Sequence, residues 1–200
     1  MKKLLTVIFG LFCTSAFAEV SVKSLSIGGE TGFVKFTSGT NLNKTSTSQS
    51  LAVGVVYTNN MTLDLRAVTQ QQDTNGTTNY GNPLSYQEIG LGQRYSVGLT
   101  NVYGKAYLQQ WEKPLKRYTG YAGEIGIADR ILKSNFSYSV SYKQFNSFED
   151  SALNTAKNNQ MRYVLAYTIN DNHRISIKKQ DQRGYTQYDG LYIGYSYRFK

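Results

Sequence analysis

The residues that could do chemistry in this sequence are mostly bases. The 200-residue chain has one histidine, His173, and one cysteine, Cys13. Ser176 lies three positions after His173, which on an extended strand puts the two side chains on opposite faces. That spacing builds no Ser–His–acid relay. The sequence carries no glycine-rich phosphate loop, nucleotide motif or metal-ligand cluster, and Asp64, Glu88 and Glu124 are too scattered for a calcium site. What remains is a set of charges alternating with apolar residues. The bases are Arg66, Arg94, Lys105, Lys143, Arg162, Arg174, Lys178 and Arg198, and the acids are Glu30, Asp64, Glu88 and Glu124. Such a set suits the attraction, pairing or passage of ions, and neither catalysis nor a cofactor or metal is expected.

The elements that position these charges must be extended. Tyrosines number 17 and glycines 18 against 2 prolines, too aromatic for a disordered chain and too poor in helix formers for a bundle. With a mean hydropathy of −0.43, no series of apolar runs of about 20 residues is available for helical membrane spans. Period-two alternation instead marks ten strands: 22–36, 48–57, 61–71, 86–95, 102–111, 118–128, 134–145, 160–168, 173–180 and 190–199. The first is ambiguous, because Phe33, Val34 and Phe36 break the period. Lys179 breaks the apolar face of the ninth, at its end or through a bulge.

Residues 1–18 read as a secretory signal peptide. Lys2 and Lys3 form its basic start, Leu4 to Phe12 its apolar stretch, and Ala16-Phe17-Ala18 its cleavage site. A lipoprotein anchor on Cys13 is the alternative, disfavoured by the bulky Phe12 before it. Cleavage leaves 19–200 as the mature domain, without thiols, and lowers the formal net charge from +9 to +7 by loss of two lysines. An exported, basic chain points to anionic solutes or lipopolysaccharide rather than nucleic acid.

Connections between the expected strands tend to alternate short and long. The short ones are 58–60, 96–101, 129–133 and 169–172; the long ones are 37–47, 72–85, 112–117, 146–159 and 181–189. The 112–117 link is the weak case. A secreted β-sandwich gives no reason for this rhythm, whereas a transmembrane barrel has short periplasmic turns and long outer loops. The last strand alternates Leu191, Ile193, Tyr195, Tyr197 and Phe199. In this the mature chain resembles the outer-membrane β-barrel proteins of Gram-negative bacteria, with Lys200 following the phenylalanine that usually ends the family's chains. The resemblance implies an antiparallel up-and-down transmembrane barrel of about ten strands, eight to twelve being compatible. It also implies that Tyr195, Tyr197 and Phe199 are the signal read by the barrel-assembly machinery. The basic content is similar to that of oligogalacturonate-specific porins, which are longer.

On a closed barrel the apolar faces meet lipid and the alternate positions face inward. The eight bases and four acids then line the interior as a net-basic lumen. Aromatics near strand ends form two girdles. Tyr57, Tyr95, Tyr167, Tyr197 and Phe199 belong to the periplasmic one, and Trp111, Tyr118, Tyr121, Tyr142, Phe145 and Tyr163 to the outer one. Two functions fit. The first is a passive pore preferring small anionic solutes. The second is a non-conducting barrel acting in adhesion or envelope integrity through loops such as 72–85. A catalytic barrel is the third possibility and the least supported, because His173 falls at the periplasmic end.

Overall fold

A computed structural model describes residues 20–37, 45–72, 84–97, 100–113, 116–131, 134–147, 158–184 and 187–199. The expected leader 1–18 and the stretches 73–83 and 148–157 lie outside these residues. Ten strands account for nearly all of what is described: β1 (Val22–Phe36), β2 (Thr45–Tyr57), β3 (Met61–Gln72), β4 (Leu84–Val97), β5 (Thr100–Lys113), β6 (Lys116–Arg130), β7 (Phe136–Ser147), β8 (Asn158–Ile169), β9 (His173–Gly184) and β10 (Tyr188–Phe199). Each pairs antiparallel with its sequence neighbours, and β1 pairs with β10 to close the barrel. Closure leaves no unpaired sheet edge, the condition a strand bundle must meet to span lipid.

Alternation fixes which side faces in. Along β1, Phe33 is 70% exposed and points outward, while Val34 at 1% and Phe36 at 6% point inward. The apparent break of period in this strand is therefore regular pairing with an apolar residue on each face, and β1 matches β10 without interruption from Leu25↔Phe199 to Phe36↔Tyr188. Lys179 is outward at 62% side-chain exposure, 3.5 Å from Asp181, and its ladders to β8 and β10 run unbroken. The ninth strand needs no bulge, because its outer end carries a charge pair on the outward face.

Outward on β10 are Leu191, Ile193, Tyr195, Tyr197 and Phe199. Nine residues at about 3.3 Å each, tilted by about 40°, cover roughly 20 Å of membrane normal, near the apolar height of such barrels. The girdle tyrosines Tyr95, Tyr167, Tyr121, Tyr142 and Tyr163 are also exposed outward. Phe145 is a correction: it is 7% exposed and packs inside against Tyr107 and Ala122. Its parity is that of Lys143, two residues earlier, so it cannot share the lipid face of Tyr142. The side chains of Trp111 and Tyr118 lie outside the described residues.

The turns at one end are tight. In the β2–β3 turn, the Asn60 amide donates to the Tyr57 carbonyl at 3.0 Å, and Asn60 has φ 63°. In the β8–β9 turn, Asn170 and Asp171 have φ 49° and 60°. Asparagine and aspartate tolerate this left-handed region better than other side chains. At the opposite end one expected long loop is short: β5 and β6 remain paired out to Lys113↔Lys116. Pairing also extends β9 to Gly184 and starts β8 at Asn158. Polar residues such as Gln182 and Asn158 continue the ladder beyond the apolar stretch, because backbone pairing does not require an apolar face.

Candidate functional site

The twelve charged residues singled out above all occupy inward parities, and the structure sorts them into two groups. Nine form an ion-paired belt. Glu30 accepts from Arg66 Nη2 at 2.7 Å and from Lys178 Nζ, while Arg66 also reaches the Ser50 hydroxyl at 3.3 Å. Asp64 Oδ2 lies 2.5 Å from Lys105 Nζ. Glu88 Oε2 lies 2.5 Å from Lys143 Nζ and accepts from Gln109 Nε2 at 2.9 Å. Glu124 Oε2 accepts from Arg162 Nη1 at 3.2 Å and from the Tyr107 hydroxyl at 2.8 Å. All four acids are thus engaged, and they take up five of the eight bases.

Strand spacing explains why these groups meet. Side chains of Lys and Arg on one strand reach across the barrel interior or past one neighbouring strand. Lys105 on β5 passes over β4 to Asp64 on β3. Lys143 on β7 reaches Glu88 on β4, three strands away. Its ammonium also sits 3.8 Å from the Tyr107 ring centroid, and Lys178 sits 4.1 Å from that of Tyr192. Such cation–π contacts add to ion pairing when both partners are dry. Glycines make room for the rings. Tyr107 lies across from Gly90, where a Cβ would come within 2.4 Å of its ring atoms, and Tyr103 similarly covers Gly126.

The belt is dry. Lys143 is 1% exposed, and Glu88, Glu124, Gln109, Tyr107, Lys178 and Tyr192 are buried with it. Toward the longer loops the interior stays filled, now by neutral groups. Gln160 donates to Gln182 at 3.1 Å and to the Tyr188 hydroxyl at 3.2 Å, and Gln180 donates to the same hydroxyl at 2.6 Å. Ser46, Ser48, Val34, Phe36, Val68 and Phe145 close the space around them. These glutamines and serines were not among the expected site residues. Their signal was present as the inward parity of β2, β8 and β9, but uncharged polar residues look alike on either face.

The other group is Arg94, Arg174 and Arg198. They sit near the short-turn end, and none of them makes an ion pair with another described residue. Around them the inner wall is half-exposed and small: Ser26, Ser137, Ser139, Ser176 and Ser196. The interior is therefore an open vestibule at one end and a packed plug through the waist and outer half. His173 is outside the lumen. Its Nδ1 is 2.6 Å from the Tyr195 hydroxyl and its ring is edge-on to Tyr197, while Ser176 points inward from the same strand.

A closed ten-strand antiparallel barrel with an apolar, tyrosine-girdled outer face has the fold of outer-membrane β-barrel proteins. No protein-family model matches the chain, and no curated protein is similar to it in sequence. Solved structures share the fold at low identity. The chain is similar to an outer-membrane channel from Pseudomonas putida F1, with TM-score 0.58 and 8% identity, over 94% of this chain and 98% of that one. It is also similar to the β domain of the Bordetella autotransporter Brka, with TM-score 0.51 and 11% identity, over 87% and 98% of the two chains. The likeness spans a channel and an autotransporter domain, so it defines the fold alone, and function rests on the lumen.

Proposed function

We propose that this protein is an outer-membrane barrel that does not conduct at rest and that acts through its ends and its lipid-facing wall. The observation that carries this reading is the buried waist. Lys143 and Glu88 pair at 2.5 Å, and Tyr107, Gln109 and Glu124 are buried around them. Narrow barrels are filled by side chains, and aqueous channels belong to barrels of many more strands. The net-basic lumen supports the same reading, since most of its cations are spent on internal carboxylates. Outer-membrane lipid and lipopolysaccharide are the partners of the outward face, and the barrel-assembly machinery that of the β10 strand with Tyr195, Tyr197 and Phe199. The test is planar-bilayer recording on the refolded mature chain. A silent, correctly folded barrel is expected; steady conductance overturns the reading.

A passive anion passage is the second reading, favoured by the three arginines of the vestibule that lack acidic partners. It requires the waist to rearrange. On this reading a salt gradient gives an anion-selective reversal potential, and Arg94→Glu with Arg162→Glu lowers or inverts it. An unchanged potential excludes these bases as the selectivity element.

A further inference from the structure

We propose that Arg94, Arg174 and Arg198 form a binding site for one multivalent oxyanion, a phosphate or polycarboxylate group, inside the vestibule at the short-turn end of the barrel.

Three independent features bring these residues together. First, they share a level. Arg198 is the penultimate residue of β10, and its amide donates to the Asn172 carbonyl in the β8–β9 turn at 2.8 Å. Arg174 is the second residue of β9 and lies opposite Ser196, so it is the inward diagonal neighbour of Arg198. Arg94 comes from β4, on the far side of the barrel, and its amide donates to the Asn60 carbonyl of the β2–β3 turn at 3.1 Å. Second, they stand on opposed walls. β4 lies five strands from β9 in either direction around the ring. Third, a donor is left over. The Arg174 Nε is buried with no hydrogen-bond partner.

None of the three arginines forms an ion pair with another described residue, and the lumen acids nearest to them along the wall are engaged. Asp64 is held by Lys105, and Glu124 by Arg162 and Tyr107. Three guanidiniums at inward positions of one barrel end, none ion-paired with another described residue, make a focus of positive charge that an anion would offset. The wall supplies what such a ligand also needs. Ser196 and Thr168 flank Arg174 on the neighbouring strands, and Ser137, Ser139 and Ser176 continue the hydroxyl lining. Guanidinium forks match the paired oxygens of carboxylate and phosphate, and hydroxyls complete the remaining lone pairs. With the waist closed as proposed above, the site is reached from the short-turn end. The site stands whether or not the waist conducts.

The experiment uses the refolded mature chain in zwitterionic detergent. Sodium pyrophosphate and sodium citrate are titrated at constant ionic strength, with sodium chloride as the blank. Isothermal titration and thermal unfolding are read together, because a ligand that binds only the folded state raises the melting temperature with its concentration. The expected result is saturable binding of one anion per chain, with a rising melting temperature. Stronger binding of pyrophosphate assigns the site to phosphates, and stronger binding of citrate assigns it to carboxylates. Arg174→Gln with Arg198→Gln weakens binding at least tenfold, while Arg183→Gln, a cation lost from the opposite end, leaves it unchanged. Without anion the double variant melts no lower than the parent, since like-charge repulsion has been removed. Should it fail to refold, Arg174→Lys keeps the charge and loses the fork, and reduced affinity is again expected. No anion-dependent shift in the parent overturns the proposal. So does a shift of equal size in the arginine variants.

Discussion

At the scale of the residue, the decisive group is Lys143. Its ammonium is dry, ion-paired with Glu88 and set against the Tyr107 ring. A buried pair contributes little net stability compared with apolar residues of the same shape, but removing one partner strands the other charge. Lys143→Met is therefore expected to destabilise the barrel by about 3–5 kcal/mol. Adding Glu88→Gln should restore most of it, since a neutral amide can keep its bond to Gln109. Chemical unfolding of the three variants in lipid vesicles measures both effects, and a double variant as unstable as the single one contradicts the pairing. A smaller effect belongs to Tyr107→Phe. It removes the hydroxyl that donates to Glu124 at 2.8 Å while keeping the ring over Gly90. A loss of about 1.5–3 kcal/mol is expected for a hydrogen bond to a charged acceptor, read in the same assay.

At the scale of the element, the strands are set by alternation and the turns by a few special positions. Ile177 sits between Leu165 and Ile193 on the outward face, and Lys179 one step further toward the long-loop end. A lysine in the middle of the apolar belt costs roughly 2–4 kcal/mol, and much less near its edge. Ile177→Lys should then be severe in vesicle-based unfolding, whereas Lys179→Leu should change little; equal effects would place both at one depth. Asn170 has φ 49° in the β8–β9 turn. A β-branched side chain is strained there by about 1–2 kcal/mol, so Asn170→Val should slow refolding yield and stability while Asn170→Gly is tolerated. Strand existence and facing were legible in the sequence because the side-chain period of two is visible in Leu191 to Phe199 and in Tyr138 to Tyr142. Strand ends were not legible. Pairing between Lys113 and Lys116 depends on backbone hydrogen bonds that any residue can make.

At the scale of the whole molecule, the barrel is stratified by chemistry. An arginine-lined vestibule gives way to a paired ionic belt and then to a neutral layer of glutamine, serine, tyrosine and phenylalanine. The plug is built from long side chains that meet near the axis, so it should be removable without breaking the wall. Lys143→Ala with Glu88→Ala and Tyr107→Ala is expected to convert a silent barrel into a conducting one in planar bilayers. The three vestibule arginines should then make the current anion-selective. A variant that folds and remains silent would show that the outer glutamine layer alone is sufficient to close the lumen.

The sequence by itself determined that the chain is all-β, that its strands number about ten, and which charged residues have inward parity. Those properties follow from local periodicity and from the cost of placing charge in lipid, and neither needs a partner elsewhere in the chain. The inward charges were legible as a list but not as a set of pairs. Lys143 and Glu88 are 55 residues apart, and Lys178 and Glu30 are 148 apart. Only closure of the sheet brings them within hydrogen-bond reach. Tertiary structure alone decided that five bases are neutralised at the waist and three are left at one mouth. It also decided that Phe145 belongs to the plug. The reason is geometric: alternation assigns a side chain to a face, whereas the ring of strands assigns it a depth and a neighbour across the lumen.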